Sequence, residues 1–121
     1  MDLMLKRIFM LKENIHIMSV SEQLNNTFKE KKHNIHLIFG YTPMCGTCKV
    51  SERMLHIVNE VTQLPLEKRD LNFYPEFSQA FEIQSVPILL IMRDDKEVDR
   101  IYAFQSVPFL LERLKKVIDE T

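Results

Sequence analysis

Both cysteines of the chain, Cys45 and Cys48, lie close together, with two residues between them. An apolar run at residues 35–39 precedes them and predicts a strand, and a helical pattern follows from Val50 to Val61. The start of a helix carries partial positive charge and free N–H groups, which stabilise a thiolate. A dithiol held between a strand and a helix therefore predicts an α/β domain with thiol chemistry at the helix start.

Length and charge restrict the function classes. The 121 residues fit one domain, which we expect at 15–121, after an extension or short helix at 1–14. The net charge of −1 does not favour nucleic acid or an acidic membrane surface as a partner. No apolar run approaches the roughly 20 residues of a membrane helix, and residues 1–11 lack the order of a signal peptide. We therefore expect a cytoplasmic protein, where a lone C-x-x-C is redox-active or binds metal.

The chain has only two glycines, Gly40 and Gly46. A dinucleotide fingerprint needs three glycines, and a phosphate loop needs a different spacing followed by lysine. We therefore expect no cofactor. Electrons for a redox reaction would have to come from another protein or from a small thiol.

The remaining patterns predict five strands and about four helices, which would form a mixed sheet covered on both faces. The predicted strands are residues 15–18, 35–41, 66–71, 88–92 and 97–102, and the helices are 19–32, 50–61, 72–81 and 106–118. In the helix after the dithiol, the expected buried stripe is Val50, Met54, Val58 and Val61. Phe77, Ala80 and Phe81 are expected to point inward from the third helix, and Leu110, Leu114, Val117 and Ile118 from the last one.

Over about residues 15–118 the chain resembles the thioredoxin-like family. The resemblance depends on the dithiol between strand and helix, the Val86-Pro87 entry to a later strand, the hairpin that follows and the terminal helix. It implies a thioredoxin-like fold, with Cys45 as the nucleophile and with Pro87 in the cis form, facing the dithiol.

Several residues depart from the common thioredoxin pattern, and they bear on rate, redox potential and substrate range. The departures are Met44 for a Trp, Thr47 for a Pro, Phe39 for a buried Asp, Arg53 for a helix-kinking Pro and Phe104 for a Gly beside the active site. Lys68 matches a family lysine found beneath the dithiol. Because Phe39 cannot accept a proton, we expect Asp70 or a water molecule to take the proton of Cys48.

Roles can be assigned within the predicted site. Cys45 would attack as a thiolate, and Cys48, one helical turn further on, would resolve the mixed disulfide. Gly46 would allow a tight turn at the thiols, and Thr47 would offer a hydroxyl to sulfur or backbone. Alternatively, both of these residues simply fit the turn.

An apolar rim around the dithiol is the expected substrate-binding surface. Its candidates are Tyr41, Pro43, Met44, Val86, Ala103 and Phe104. In the cis form, Pro87 would leave the backbone before it free to pair with an extended substrate. The alternative is a trans proline that merely opens a strand.

We therefore predict a thiol–disulfide oxidoreductase that reduces protein disulfides. Its expected partners are disulfide-containing proteins and an external reductase or small-thiol donor, and we expect a monomer. The segment of paired glycines with which glutaredoxins hold glutathione is missing. The alternative is a non-catalytic binding module with the thioredoxin fold, whose thiols bind metal or sense oxidation. Metal binding would need further ligands from elsewhere in the chain or two chains that share four thiolates, because His56 lies about 12 Å along the helix from Cys48.

Overall fold

The computed structural model describes residues 34–120, in the order β-α-β-α-β-β-α. The strands are β1 (Ile35–Tyr41), β2 (Leu66–Asp70), β3 (Ile88–Arg93) and β4 (Lys96–Ile101). The helices are α1 (Gly46–Thr62), α2 (Pro75–Ala80) and α3 (Val107–Asp119), and a 3-10 turn covers Leu71–Phe73. The predicted strand at 15–18 and the helix after it lie outside the described residues.

The strands form one mixed sheet in the order β2-β1-β3-β4. β1 runs parallel to β2 and antiparallel to β3, and β3 pairs antiparallel with β4 through a hairpin. The described part of the chain therefore contributes four strands to the sheet, where the sequence predicted five for the whole chain. The mixed sheet with helices on both faces confirms the predicted α/β class.

Apolar side chains cover both faces of the sheet. On one face, a large core cluster includes Phe39, Leu55 and Leu110 from β1, α1 and α3. On the other face, a smaller cluster contains Ile38 and Leu90, and partly buried Phe77 of α2 packs against it. This layering explains why β1 is apolar along nearly its whole length, since its alternate side chains enter two different cores.

The last helix agrees with its sequence pattern. Its buried residues are the predicted Leu110, Leu114, Val117 and Ile118. The hydroxyl of Ser106 accepts a hydrogen bond from the Phe109 N–H and caps the helix, with Pro108 in its first turn.

Two other helices differ from expectation. The buried residues of α1 are Cys48, Ser51, Leu55, Val58 and Thr62, while Val50 is half exposed. Of the predicted stripe, only Val58 is fully buried. The helix predicted over 72–81 is divided into the 3-10 turn and α2, which begins at Pro75, and Ala80 is exposed rather than inward-facing.

Within residues 34–120, none of the helices combines the length and the apolar character that crossing a bilayer requires.

Candidate active site at the start of α1

The two cysteines are joined to each other at the N-terminus of α1. Cys45 is the N-cap residue of the helix, and a disulfide links it to Cys48 in the first turn. The Cα atoms are 5.3 Å apart, within the usual range for a disulfide. The C-x-x-C spacing and the helical turn together bring the two sulfurs into bonding position.

Two hydrogen-bond donors face the sulfur of Cys45. The backbone N–H of Cys48 donates to it at 3.1 Å, and the hydroxyl of Thr47 lies 3.2 Å from it. In the reduced protein the same two groups are placed to stabilise a thiolate on Cys45, in addition to the positive end of the helix. The hydroxyl of Thr47 therefore contacts sulfur, one of the two possibilities that the sequence left open.

The two cysteines differ in their access to solvent. Cys45 is half-buried, whereas Cys48 is only 3% exposed and belongs to the large core cluster. Met44, immediately before the dithiol, is 94% exposed. An incoming molecule would therefore meet the thioether of Met44 and the sulfur of Cys45 before it could reach Cys48.

Gly46 is not needed for a tight turn. It is the first residue of α1, its φ is not positive, and an added Cβ would have no heavy atom within 4 Å. The expectation that glycine allows the chain to turn at the thiols is wrong for this position. Gly40 is the crowded one, since a Cβ there would lie 2.7 Å from Cγ2 of Ile88.

An aromatic layer lies in the same core cluster as Cys48. Phe39 is completely buried, and its ring meets that of Phe104 edge to face at 5.9 Å and stacks on that of Tyr41 at 5.7 Å. Phe39 replaces the buried Asp of the common family pattern and Phe104 replaces its Gly, so two departures from that pattern are in contact. Phe104 is only 4% exposed, so its predicted place on a substrate-binding rim is wrong.

The segment before β3 lies next to the end of β1. The Val86–Pro87 peptide bond is cis. Ile88, directly after it, pairs with Gly40, so Pro87 follows in register opposite Tyr41, where β1 leads toward the dithiol. Val86, Tyr41 and Cys45 all pack against the core cluster that contains Cys48. The structure thus brings the predicted residues Tyr41, Val86 and Pro87 to the sheet end that carries Cys45.

Arg100 and Tyr102 hold the loop before Val86, and the sequence did not single them out. The guanidinium of Arg100 donates to the carbonyl of Phe81 at 2.8 Å and to the Tyr102 hydroxyl at 3.1 Å, and the N–H of Gln84 donates to that hydroxyl. A hydrogen bond with Glu97 raises the pKa of Arg100 further above its high ordinary value. No local pattern could have identified this role, because the carbonyl partners lie far along the chain.

Comparison with known proteins agrees with this geometry. A family model described as thioredoxin matches residues 16–116. The chain is 38% identical over 84 residues to the thioredoxin-like protein YusE of Bacillus subtilis (strain 168), covering 69% of this chain and 79% of the relative. It is 29% identical over 84 residues to a thioredoxin of Mycobacterium tuberculosis, covering 68% of this chain and 72% of the relative.

Solved structures show the same fold. A mutant thioredoxin from Halobacterium salinarum NRC-1 superimposes with a TM-score of 0.60 at 22% identity, covering 80% of each chain. The family model spans most of the sequence, and the relatives align through the region that holds the disulfide. The chain therefore belongs to the thioredoxin family and is a thiol–disulfide oxidoreductase.

Proposed function

We propose that this chain reduces disulfide bonds in other proteins, with Cys45 as the attacking thiolate and Cys48 as the resolving thiol. The observation that carries the proposal is the unequal environment of two bonded sulfurs. Cys45 is partly accessible and receives two hydrogen bonds, whereas Cys48 is 3% exposed within the core. Because the thiolate is the nucleophile in disulfide exchange, the accessible and better stabilised sulfur attacks first.

The reaction has two exchange steps. The Cys45 thiolate attacks one sulfur of the partner's disulfide, that bond breaks, and the other partner sulfur leaves as a thiolate and takes a proton. The Cys48 thiolate then attacks Cys45, which releases the second partner sulfur. The partner is reduced by two electrons, and the chain is left with the Cys45–Cys48 disulfide. An external reductase or a small thiol then returns the chain to the dithiol form.

The proposed contact surface for the partner consists of Tyr41, Met44, Gly46, Val86 and Pro87. The strong exposure of Met44 supports this, because its flexible, polarizable side chain adapts to partners of different shape. Gly46 is exposed with open space above it, so a partner's backbone can approach closely there. An extended segment of the partner would lie beside the Val86 backbone, as in strand addition.

Insulin reduction with dithiothreitol as the electron donor tests the proposal. We expect the wild-type chain to accelerate insulin precipitation and the Cys45→Ser variant to be inactive. The Cys48→Ser variant should attack once and then remain covalently bound to its partner. Non-reducing electrophoresis after incubation with a disulfide protein would show these adducts, and mass spectrometry would locate the bond at Cys45.

Met54→Ala serves as a matched control, because this half-buried residue of the same helix carries no proposed chemistry, and it should retain activity. Adducts formed by Cys45→Ser but not by Cys48→Ser would reverse the two roles. A wild-type chain that lacks reductase activity but binds zinc stoichiometrically through its thiols would instead support the binding module.

A further inference from the structure

The resolving step raises the question of where the proton of Cys48 goes. Cys48 must become a thiolate before it can attack Cys45, yet it is buried in the same core cluster as Phe39, whose ring offers no proton acceptor. Among residues 34–120, the buried polar side chains are those of Ser51 and Thr62, and a hydroxyl is not a base at neutral pH. The acceptor must therefore stand at the edge of the core.

Asp70, one of the two acceptors expected from the sequence, already has another contact. Its carboxylate accepts the N–H of Asn72 at 3.1 Å and so caps the 3-10 turn after β2. This contact directs the carboxylate into its own turn, at the end of the strand.

Glu52 is better placed than Asp70 to accept the proton of Cys48. It follows Cys48 by four residues in α1, so the two side chains lie on the same side of the helix, with Cβ atoms about 5–6 Å apart. Side chains in a helix tilt toward its N-terminus, and Glu52 therefore covers the turn that contains Cys48. Its side chain is 37% exposed, so a proton on its carboxylate can pass on to solvent.

Lys68 holds the Glu52 carboxylate in this place. Its Nζ lies 3.0 Å from Oε1 of Glu52 and 3.4 Å from Nε2 of His56, one turn further along α1. Lys68 pairs with Phe39 in the register of β1 and β2, so it projects from the same sheet face as that ring. The resemblance to thioredoxins implied that Lys68 lies beneath the dithiol. In the structure it lies on β2, is 41% exposed and binds Glu52 of α1.

The charged groups around Glu52 come from two elements. On β2, Lys68 contacts Glu52, and Asp70 follows two residues later on the same sheet face; on α1, Lys49 and His56 lie at helical spacing from Glu52. Helix α3 lies toward the other edge of the sheet, where its Arg113 pairs with a carboxylate of β4.

We propose that Glu52 accepts the proton of Cys48 in the resolving step, with Lys68 as its positioning residue; this inference rests on the proposed function. The proton moves from the thiol of Cys48 to the Glu52 carboxylate. The new thiolate forms a bond with Cys45 Sγ, and the bond between Cys45 and the partner breaks. The electron pair leaves on the partner's sulfur, which takes a proton from Glu52 or from solvent.

Stopped-flow reaction of the reduced chain with dithiobis-nitrobenzoate separates the two steps. Attack by Cys45 releases one coloured thionitrobenzoate, and resolution by Cys48 releases the second. We expect Glu52→Gln to slow the second release by about tenfold and to leave the first within about twofold, since the amide cannot take the proton. The Glu60→Gln variant, an exposed carboxylate of the same helix, is the matched control and should behave as wild type.

The pH profile distinguishes proton transfer from a loss of structure. Between about pH 6 and pH 8, the second release in Glu52→Gln should rise by about tenfold per pH unit, more steeply than in wild type, because only solvent base remains. Lys68→Met should slow the second release by less than Glu52→Gln does, about threefold, since the base remains but is no longer held in place. Circular dichroism should show both variants folded, because an exposed ion pair contributes little to stability.

The possible failures can be told apart. If Glu52→Gln matches wild type in both the rate and the pH profile of the second release, the proton does not go to Glu52. If Lys68→Met has no effect, Lys68 does not position the carboxylate. If wild type releases no thionitrobenzoate, or releases only one equivalent, the proposed dithiol function itself fails.

Discussion

The contact between Phe39 and Phe104 should be measurable as a coupling energy. Both rings are buried, at 0% and 4% exposure, and they meet at 5.9 Å with an interplanar angle of 61°. Replacing either with leucine keeps an apolar side chain but removes the ring edge or face that its neighbour contacts. We therefore consider Phe39→Leu, Phe104→Leu and the double variant.

The magnitudes follow from burial and ring geometry. Truncating a buried Phe to Ala costs about 3–5 kcal/mol, and leucine keeps most of that volume, so each single change should cost about 1–2 kcal/mol. An aromatic pair contributes about 0.5–1.5 kcal/mol beyond its buried area. Each single variant loses this contribution, but the double variant loses it only once. The double variant should therefore cost about 0.5–1.5 kcal/mol less than the sum of the single variants.

Urea unfolding of the oxidised chain, followed by circular dichroism, gives the four free energies of the cycle. Phe73→Leu is the matched control, because its ring is 80% exposed, and it should change stability by less than about 0.5 kcal/mol. Costs that add to within about 0.3 kcal/mol would refute the coupling and leave the two rings as independent packing residues.

Three further predictions concern single residues. Gly40→Ala should lower the free energy of unfolding by about 1–3 kcal/mol, because the added Cβ would clash with Ile88 of β3. Gly46→Ala should be neutral or stabilise by up to about 1 kcal/mol, and urea unfolding compares the two variants. Thr47→Val should lower the rate at which iodoacetamide alkylates Cys45 at neutral pH by about fivefold, and Thr47→Ser should not, because only valine removes the hydroxyl that lies 3.2 Å from the sulfur. Equal rates in the two variants would contradict the proposed stabilisation of the Cys45 thiolate by this hydroxyl. Arg100→Met should lower the free energy of unfolding by roughly 1–2 kcal/mol, because the carbonyls of Phe81 and Glu82 both lose their charged donor; an unchanged midpoint in urea unfolding would refute this.

The sequence predicted those elements whose patterns are local. The bounds of β1 agree with the apolar run from Ile35 to Tyr41, because neighbouring residues alone determine such a run. The inner face of α3 also agrees, since its apolar residues follow one helical stripe and Ser106 caps its start. The dithiol at the start of α1 was equally predictable from the sequence, because its two cysteines are three positions apart.

The orientation of α1 could not be predicted in the same way. The helix has more apolar residues than one face can bury, and the sequence pattern favoured a stripe through Val50. In the structure the face of Cys48 turns inward, and Ser51 and Thr62 are buried with it while Val50 is half exposed. The rotation of the helix thus follows from how it packs on the sheet, which hydrophobicity alone does not specify.

The sequence alone thus determined the chemistry of this protein, since two thiols three positions apart at a helix start are defined by covalent spacing and local structure. Only the tertiary structure decided what surrounds them. Phe39 and Phe104 are separated by most of the fold, and Glu52 and Lys68 lie in two successive elements, α1 and β2. Each pair is nevertheless in contact. Such contacts depend on strand register and helix rotation. Both are determined by packing throughout the core and cannot be predicted from a local sequence pattern.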